Sequence, residues 1–225
     1  MQYIYKHQTS GVGEMRKYLL LHKLMPVVLL LAMTVFIFDS GTFATANAGP
    51  MEQLQKSVNE ILEILQSKEL KEPDKKDERK QRILNVVTDM FDFREMARSS
   101  LGQSWNSITP EEQDTFVKLF TDLVEQRYIG KIDSYNNQKV VYKKELVKGD
   151  KAMIYTDIID KDLEIPIIYR LQAYGGKWLI YDLKIENVSL IVNYRRDFDS
   201  IIRKEQFAGL VKKITKQLEK TETSN

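Results

Sequence analysis

Cysteine is absent from the sequence, and the only two histidines, His7 and His22, stand near its start. Without cysteine there are no disulfides and no thiolate chemistry. With histidine confined to the first segment, the rest of the chain has no Ser-His-Asp or Cys-His nucleophile system and none of the usual zinc ligands. There is also no Gly-rich phosphate loop, no nucleophile elbow and no internal repeat. Catalysis would fall to Asp, Glu, Tyr, Lys or Arg alone.

The first segment reads as an address. Arg16, Lys17 and Lys23 form a basic stretch ahead of the apolar run Met25–Phe38. That run falls short of the roughly 20 residues of a spanning helix. Small residues follow, ending in Ala46-Asn47-Ala48, the pattern read by a signal peptidase. The expectation is a cleaved signal over 1–48, with translation starting at Met15, and one domain over 49–225. A lipoprotein anchor would need a cysteine. Lys6, Arg16, Lys17 and Lys23, less Glu14 and Asp39, account for the whole formal charge of +2. The remainder is neutral and offers no global attraction to nucleic acid.

From residue 49 onward helices come first, strands follow, and helices close the chain. This order predicts an α+β fold with an antiparallel sheet. Leu54, Val58, Ile61, Leu62 and Leu65 make one helical stripe over 52–67. The charged stretch Lys68 to Lys80, with Pro73, predicts a solvated loop before a second helix carrying Ile83, Leu84, Val86, Val87 and Met90. Asp92 is placed to cap a short helix, with Glu95 reaching back to it and Gly102 ending it. Thr109-Pro110-Glu111-Glu112 opens another helix, whose broad face holds Phe116, Phe120 and Leu123.

From Lys139 the period becomes two. Four strands are predicted, at about 138–147, 151–160, 163–174 and 177–187, with turns at 148–150, 160–162 and 175–176. Leu163, Ile165, Ile167, Tyr169, Leu171 and Ala173 alternate onto one face, as do Leu179, Tyr181, Leu183 and Ile185. Pro166 predicts an edge or a bulge. A helix with Tyr194 and Phe198 follows, then one from Phe207 to Leu218, and a polar tail from Lys220.

An aromatic and aliphatic surplus on elements facing one sheet is the main functional signal. Ordinary core packing explains any one of these residues. The alternative is that part of this surface lines a cavity for a long apolar ligand, and periodicity does not separate the two. Tyrosine adds to this, because a buried phenol needs a partner, and at a cavity mouth a lipid's glycerol or carbonyl region supplies one. The basic pairs Lys143-Lys144 and Lys212-Lys213 read as solvated faces or as docking points for acidic partners. Arg195 either pairs with a nearby acid or guides a phosphate.

Two stretches carry a family resemblance. One runs from Phe91-Asp92-Phe93 through Ala97, Leu101-Gly102, Trp105 and Thr109-Pro110-Glu111-Glu112 to Phe116. The other is Trp178, Tyr181-Asp182-Leu183, Ile185-Glu186, Val188-Ser189-Leu190, Asn193-Tyr194-Arg195, Phe198 and Ile201. The ordered set resembles the MlaC family, also called toluene-tolerance auxiliary proteins, over nearly the whole chain after the signal. Asn187 stands where that family often has glycine, and asparagine also tolerates the left-handed conformation.

The resemblance implies an NTF2-like cone, with helices packed on a curved four-stranded antiparallel sheet around an apolar lipid pocket. It implies a monomeric, periplasmic phospholipid carrier without cofactor. Its partners would be the MCE-domain protein of an inner-membrane ABC transporter and an outer-membrane lipoprotein complex, and its role the maintenance of outer-membrane lipid asymmetry. The expected lining is Phe116, Phe120, Leu123, Ile154, Ile158, Ile167, Tyr169, Leu171, Tyr181, Leu183, Tyr194 and Phe198. Such a pocket needs a volume on the order of 1,000 Å³. Three other readings remain open: a carrier of another envelope lipid such as a hopanoid, a ligand-free interaction module, and an enzyme using Asp182 beside Tyr181. Alternation on a strand would separate the last two side chains.

Overall fold

The computed structural model describes residues 48–128, 138–160 and 163–222. The expected signal through Asn47 and the turn residues Lys161 and Asp162 lie outside the described residues. Helix α1 (Pro50–Gln66) starts with proline at its first turn and buries Leu54, Val58, Ile61, Leu62 and Leu65. Two short 3₁₀ turns, Glu69–Lys71 and Pro73–Lys75, lead into α2 (Lys76–Met90). The charged stretch is therefore helical from Lys76, earlier than expected. Lys75 and Arg82 both pair with Glu78 along this solvated face.

Helix α3 (Phe93–Leu101) is capped by Asp92, whose side chain accepts from the Glu95 backbone N–H at 2.8 Å. The reciprocal half of the expected capping box is missing. The Asp92 N–H instead donates to Ile180 O at 2.9 Å, which frees Glu95 to pair with Arg98. Helix α4 (Pro110–Tyr128) has the complete box: Thr109 N–H donates to Glu112 at 2.8 Å, and Glu112 N–H to the Thr109 hydroxyl at 3.2 Å.

Strands β1 (Lys139–Lys148), β2 (Lys151–Asp160), β3 (Leu163–Tyr174), β4 (Lys177–Ile185) and β5 (Val188–Ser189) form one antiparallel sheet in sequence order. The fifth strand is an addition to the expected four. It follows a tight turn at Glu186 and Asn187, both at positive φ (48° and 68°). Pro166 lies in β3, between β2 and β4 rather than on an edge. Its carbonyl accepts from Glu186 N–H just beyond the last β3–β4 pair, so its missing donor faces the turn and costs no ladder bond.

Two bulges break the alternation. Lys143 is the extra residue in β1 and Tyr181 in β4. The second overturns an expectation: Leu179 and Tyr181 leave the core face, and Ile180 takes it, followed by Leu183 and Ile185. A bulge shifts a period-two pattern by one residue and bends the strand, and no residue type announces it.

Helix α5 (Leu190–Glu222) is broken at Gln206, at φ 59° and ψ −177°. Its two arms correspond to the two helices expected, and the second runs to Glu222, past the expected fraying point. That backbone region is sterically costly for any residue but glycine. The chain continues tightly enough that a Cβ on Gly209 would fall 2.3 Å from Glu205 Cβ.

The start of α5 is held by a buried carboxylate. Asp182, 3% exposed, accepts from the Ser189 hydroxyl at 3.0 and 2.9 Å and from Ile191 N–H at 3.2 Å. The Ser189 oxygen in turn accepts from Val192 N–H, as an N-cap does. Arg170 approaches Asp182 to 3.6 Å. Asp182→Ala would leave these donors buried without an acceptor. It is expected to cost about 3 kcal/mol, measured by urea unfolding. A loss under about 0.5 kcal/mol, the range of an ordinary surface change, would show that the carboxylate is not the anchor.

Candidate functional site

The inner face of the sheet is a lattice set by the register. Val140, Ile158 and Ile165 form one row, Tyr142, Thr156, Ile167 and Ile185 the next, then Ile154, Tyr169 and Leu183. Beyond them lie Ala152, Leu171 and Ile180. Apart from the partly buried Tyr142, all of these are buried.

The same core takes in an aromatic cluster from α4 and α5. Phe116 meets Phe198 edge-on at 5.8 Å, and Phe120 meets Tyr194 at 5.3 Å. Tyr194 lies 5.3 Å from Phe198, and Phe207 joins Phe116 at 5.9 Å across the break in α5. Each ring buries a large apolar area, and tilted or edge-on pairs add about 0.5–1.5 kcal/mol apiece.

Of the residues expected to line a lipid pocket, Phe116, Phe120, Leu123, Ile154, Ile158, Ile167, Tyr169, Leu171, Leu183, Tyr194 and Phe198 are brought together in this one core. Tyr181 is not. The bulge turns it outward, where its ring lies 5.4 Å from the Arg170 guanidinium carbon. A hollow of about 290 Å³ between α1, α2 and β4 reaches this face at Leu171 and Ile180, with Leu54, Met90 and Trp178 around it. A more polar hollow of about 540 Å³ lies between α1 and α2, with Glu60, Glu63 and Arg82 on its walls.

Thr156 is the residue that pattern reading passed over. It stands between Ile154 and Ile158 in an inward alternation, so its placement was available from the period. Its polarity within that row was the missed signal. It is 1% exposed, and the phenol of Tyr169 sits beside it. Burial pushes the Tyr169 phenol well above its usual range, opposed by the Thr156 hydroxyl. Burial first, and the neighbouring Tyr169 second, do the same to Tyr142.

The charged candidates resolve into local pairs. Lys143 bridges Asp157 and Glu164, and Lys213 pairs with Glu205. Lys144 and Lys212 are exposed. Arg195 donates twice to Ser99 O near the end of α3, at 2.8 and 2.5 Å. It lies against Gly102, whose φ of 57° favours glycine. Arg170 lies near both Tyr181 and Asp182. The Asp182 oxygens are nevertheless committed to Ser189 and Ile191 and cannot also serve as a free base. Among the described residues no acidic group of three converges as a metal site.

Known proteins share this architecture. A family model described as MlaC protein matches residues 55–216. A curated relative, the intermembrane phospholipid transport system binding protein MlaC of Haemophilus influenzae (strain ATCC 51907 / DSM 11121 / KW20 / Rd), is 28% identical over 120 residues. The match covers 51% of this chain and 56% of the relative, so the chain spans little more than half of that protein's length. A phospholipid-binding protein from Ralstonia solanacearum, solved in complex with a phospholipid, superposes with a TM-score of 0.68. It is 21% identical, over 78% of this chain and 99% of that one, which is a likeness of fold.

The two buried phenols make alkaline stability a direct readout of this interior. Their folded pKa values lie above the unfolded value near 10. Below about pH 10 both states hold the protons. Above it the unfolded chain releases protons that the folded chain keeps, so stability falls as pH rises, by up to about 1.4 kcal/mol per pH unit for each phenol. The urea midpoint should fall between pH 9 and 11, and a Tyr142→Phe/Tyr169→Phe double variant should flatten that fall. Parallel profiles for the two proteins would refute the buried placement.

Proposed function

Because the chain belongs to the MlaC protein family, we propose that it is a phospholipid carrier of the periplasm, exported by a signal at 1–48 and working as a single lipid-binding domain over 49–225. It would bury acyl chains between the aliphatic sheet face and the Phe116–Phe120–Tyr194–Phe198 cluster, with the head group left in water. The lipid would pass between an inner-membrane ABC transporter, through its MCE-domain protein, and an outer-membrane lipoprotein complex, and so sustain outer-membrane lipid asymmetry.

The observation that carries this reading is the inner face itself, aliphatic over three strands and continuous with five aromatic rings. The relatives' phospholipid binding agrees with it. The energetics agree too. Exposing an acyl chain to water costs about 0.8 kcal/mol per methylene, or roughly 12 kcal/mol for about 15 carbons. A free lipid therefore does not cross an aqueous gap at a useful rate, and a protein surface that replaces water offsets the term. The same burial resists unloading, which gives release to a partner.

The test is native mass spectrometry of the chain purified from the periplasm without detergent. Added masses matching phospholipids, lost on organic extraction, are expected. Hopanoid masses would change the cargo. A bare chain that takes up nothing from vesicles, even with its partner complex, would leave an interaction module instead. Within the proposed lining, Leu171→Trp or Leu123→Trp adds an indole in place of a smaller side chain, at a cost of about 1–3 kcal/mol. Either variant should fold and carry about tenfold less lipid. Undiminished lipid in both would move the pocket elsewhere.

A further inference from the structure

A hollow reaches the inner sheet face at one end. The last aliphatic row of that face is Ala152, Leu171 and Ile180, and one row further along β3 and β4 the pair Ala173 and Trp178 continues it. Here the hollow of about 290 Å³ opens between α1, α2 and β4. Its apolar wall is Leu54, Met90, Leu171 and Ile180, all buried. Its rim is exposed and charged, with Lys56 and Glu60 on α1, Asp89 on α2 and Lys177 on β4. Trp178 stands half-buried between the two, its backbone N–H donating to the Gln53 side chain at 2.6 Å. An indole, mostly apolar with one polar edge, suits such a border. Three larger hollows, of about 540, 530 and 420 Å³, touch none of the inner-row residues.

A lipid has a long apolar end and a charged end, and the two need different surroundings. Burying the head-group charges is costly, so a lipid enters tail first and stops where its charge must stay in water. The hollow offers those surroundings in that order: exposed charges of both signs at the rim, an indole at the border, aliphatic side chains beyond. Along β2 the inner face runs from Ala152 through Ile154 and Thr156 to Ile158, about 20 Å at roughly 3.3 Å per residue. A chain entering at Leu171 and Ile180 therefore has the length of the sheet to lie along, where its methylenes replace contacts among core side chains. The rim is closed by the pair Lys177 and Asp89, 2.5 Å apart with both side chains more than half exposed. Such a pair adds little stability and parts easily. We infer that this hollow is the mouth of the lipid site, entered tail first, with Trp178 against the glycerol end of the chain and the head group in water among Lys56, Glu60, Asp89 and Lys177. This rests on the carrier reading and gives it an entrance and an orientation.

The chain has two tryptophans, Trp178 at the hollow and Trp105 outside it beneath Arg94. The delipidated full chain is loaded from vesicles of phosphatidylcholine brominated either near the glycerol end of its acyl chains or near their methyl ends. Bromine quenches indole emission on close approach, and the lipid in the re-isolated protein is quantified each time. At equal loading, bromine near the glycerol should quench the tryptophan emission more than bromine near the methyl end, and Trp178→Phe should abolish the difference. Equal or reversed quenching overturns the mouth and its orientation and leaves the carrier standing. So does a difference that survives Trp178→Phe. Uptake of neither lipid removes both readings together. Should Trp178→Phe fail to fold, the absence of native cysteine supplies a second measurement. Lys56→Cys on the exposed rim is modified with a bulky maleimide, and Gln103→Cys in the hollow beside Arg195 is the control. The first label should slow lipid uptake about tenfold or more, and the second should leave it unchanged. Uptake slowed alike by both labels, or by neither, overturns the mouth.

Discussion

The buried carboxylate of Asp182 is the point from which the helical layer is hung. It sits just past the bulge at Tyr181 and meets the first turn of α5 through Ser189 and Ile191. A charge at 3% exposure is tolerated because every contact is a donor: one hydroxyl, one helix N-terminal N–H and a nearby guanidinium. This fixes where α5 begins and in which direction it leaves the sheet. Tyr194 and Phe198 lie within the next two to three turns, so their place against Phe116 and Phe120 follows from that start. Arg195 then ties the same turn of α5 to the last carbonyls of α3. Three elements distant in sequence are thereby held by a handful of directional contacts before any apolar packing is counted.

The other end of the sheet is secured differently. Helix α1 reaches across it, with Met51 N–H on Glu145 and the Gln53 side chain accepting from Trp178 N–H, both at 2.6 Å. The corner between α2 and α3 attaches to β4 through Asp92 and Ile180. Directional bonds therefore fix where the elements join, and non-directional apolar contacts fill the space between them. Apolar contacts among Ile, Leu and Phe can be exchanged for contacts with methylenes at small net cost, because dispersion and hydrophobic burial do not specify a partner. Hydrogen bonds cannot be exchanged so freely, because each needs its own partner in place.

The uncommon backbone at Gln206 fits within that picture. It bends α5 so that Phe207, Leu210 and Ile214 return to the core that the first arm has already covered. A straight helix would carry the second arm away from α4. The steric cost of the left-handed residue is met by those buried side chains and by the contact of Gln126 with Leu218 O. Gly209 is the residue at which the tight path is visible, since a side chain there would collide with Glu205.

Much of this was written in the residue pattern. The helix starts at Thr109 and Asp92, the glycine turns, the break before Phe207 and the alternation of β2 and β3 are all local matters. Each follows from a cap, a turn propensity or a period confined to a few neighbouring residues. Tertiary structure alone decided the rest. The outward turn of Tyr181 came from a bulge, which depends on how β3 and β4 fit together rather than on any residue's preference. The Asp92 N–H went to the sheet instead of to Glu95 because Ile180 O was within reach. Thr156 came to lie beside Tyr169 only when register set it between Tyr142 and Ile167. Local physics determined which segments are helix or strand and which face of most of them is apolar. Contacts between segments decided which polar groups meet, because a hydrogen bond needs both partners in place and a sequence lists them one at a time.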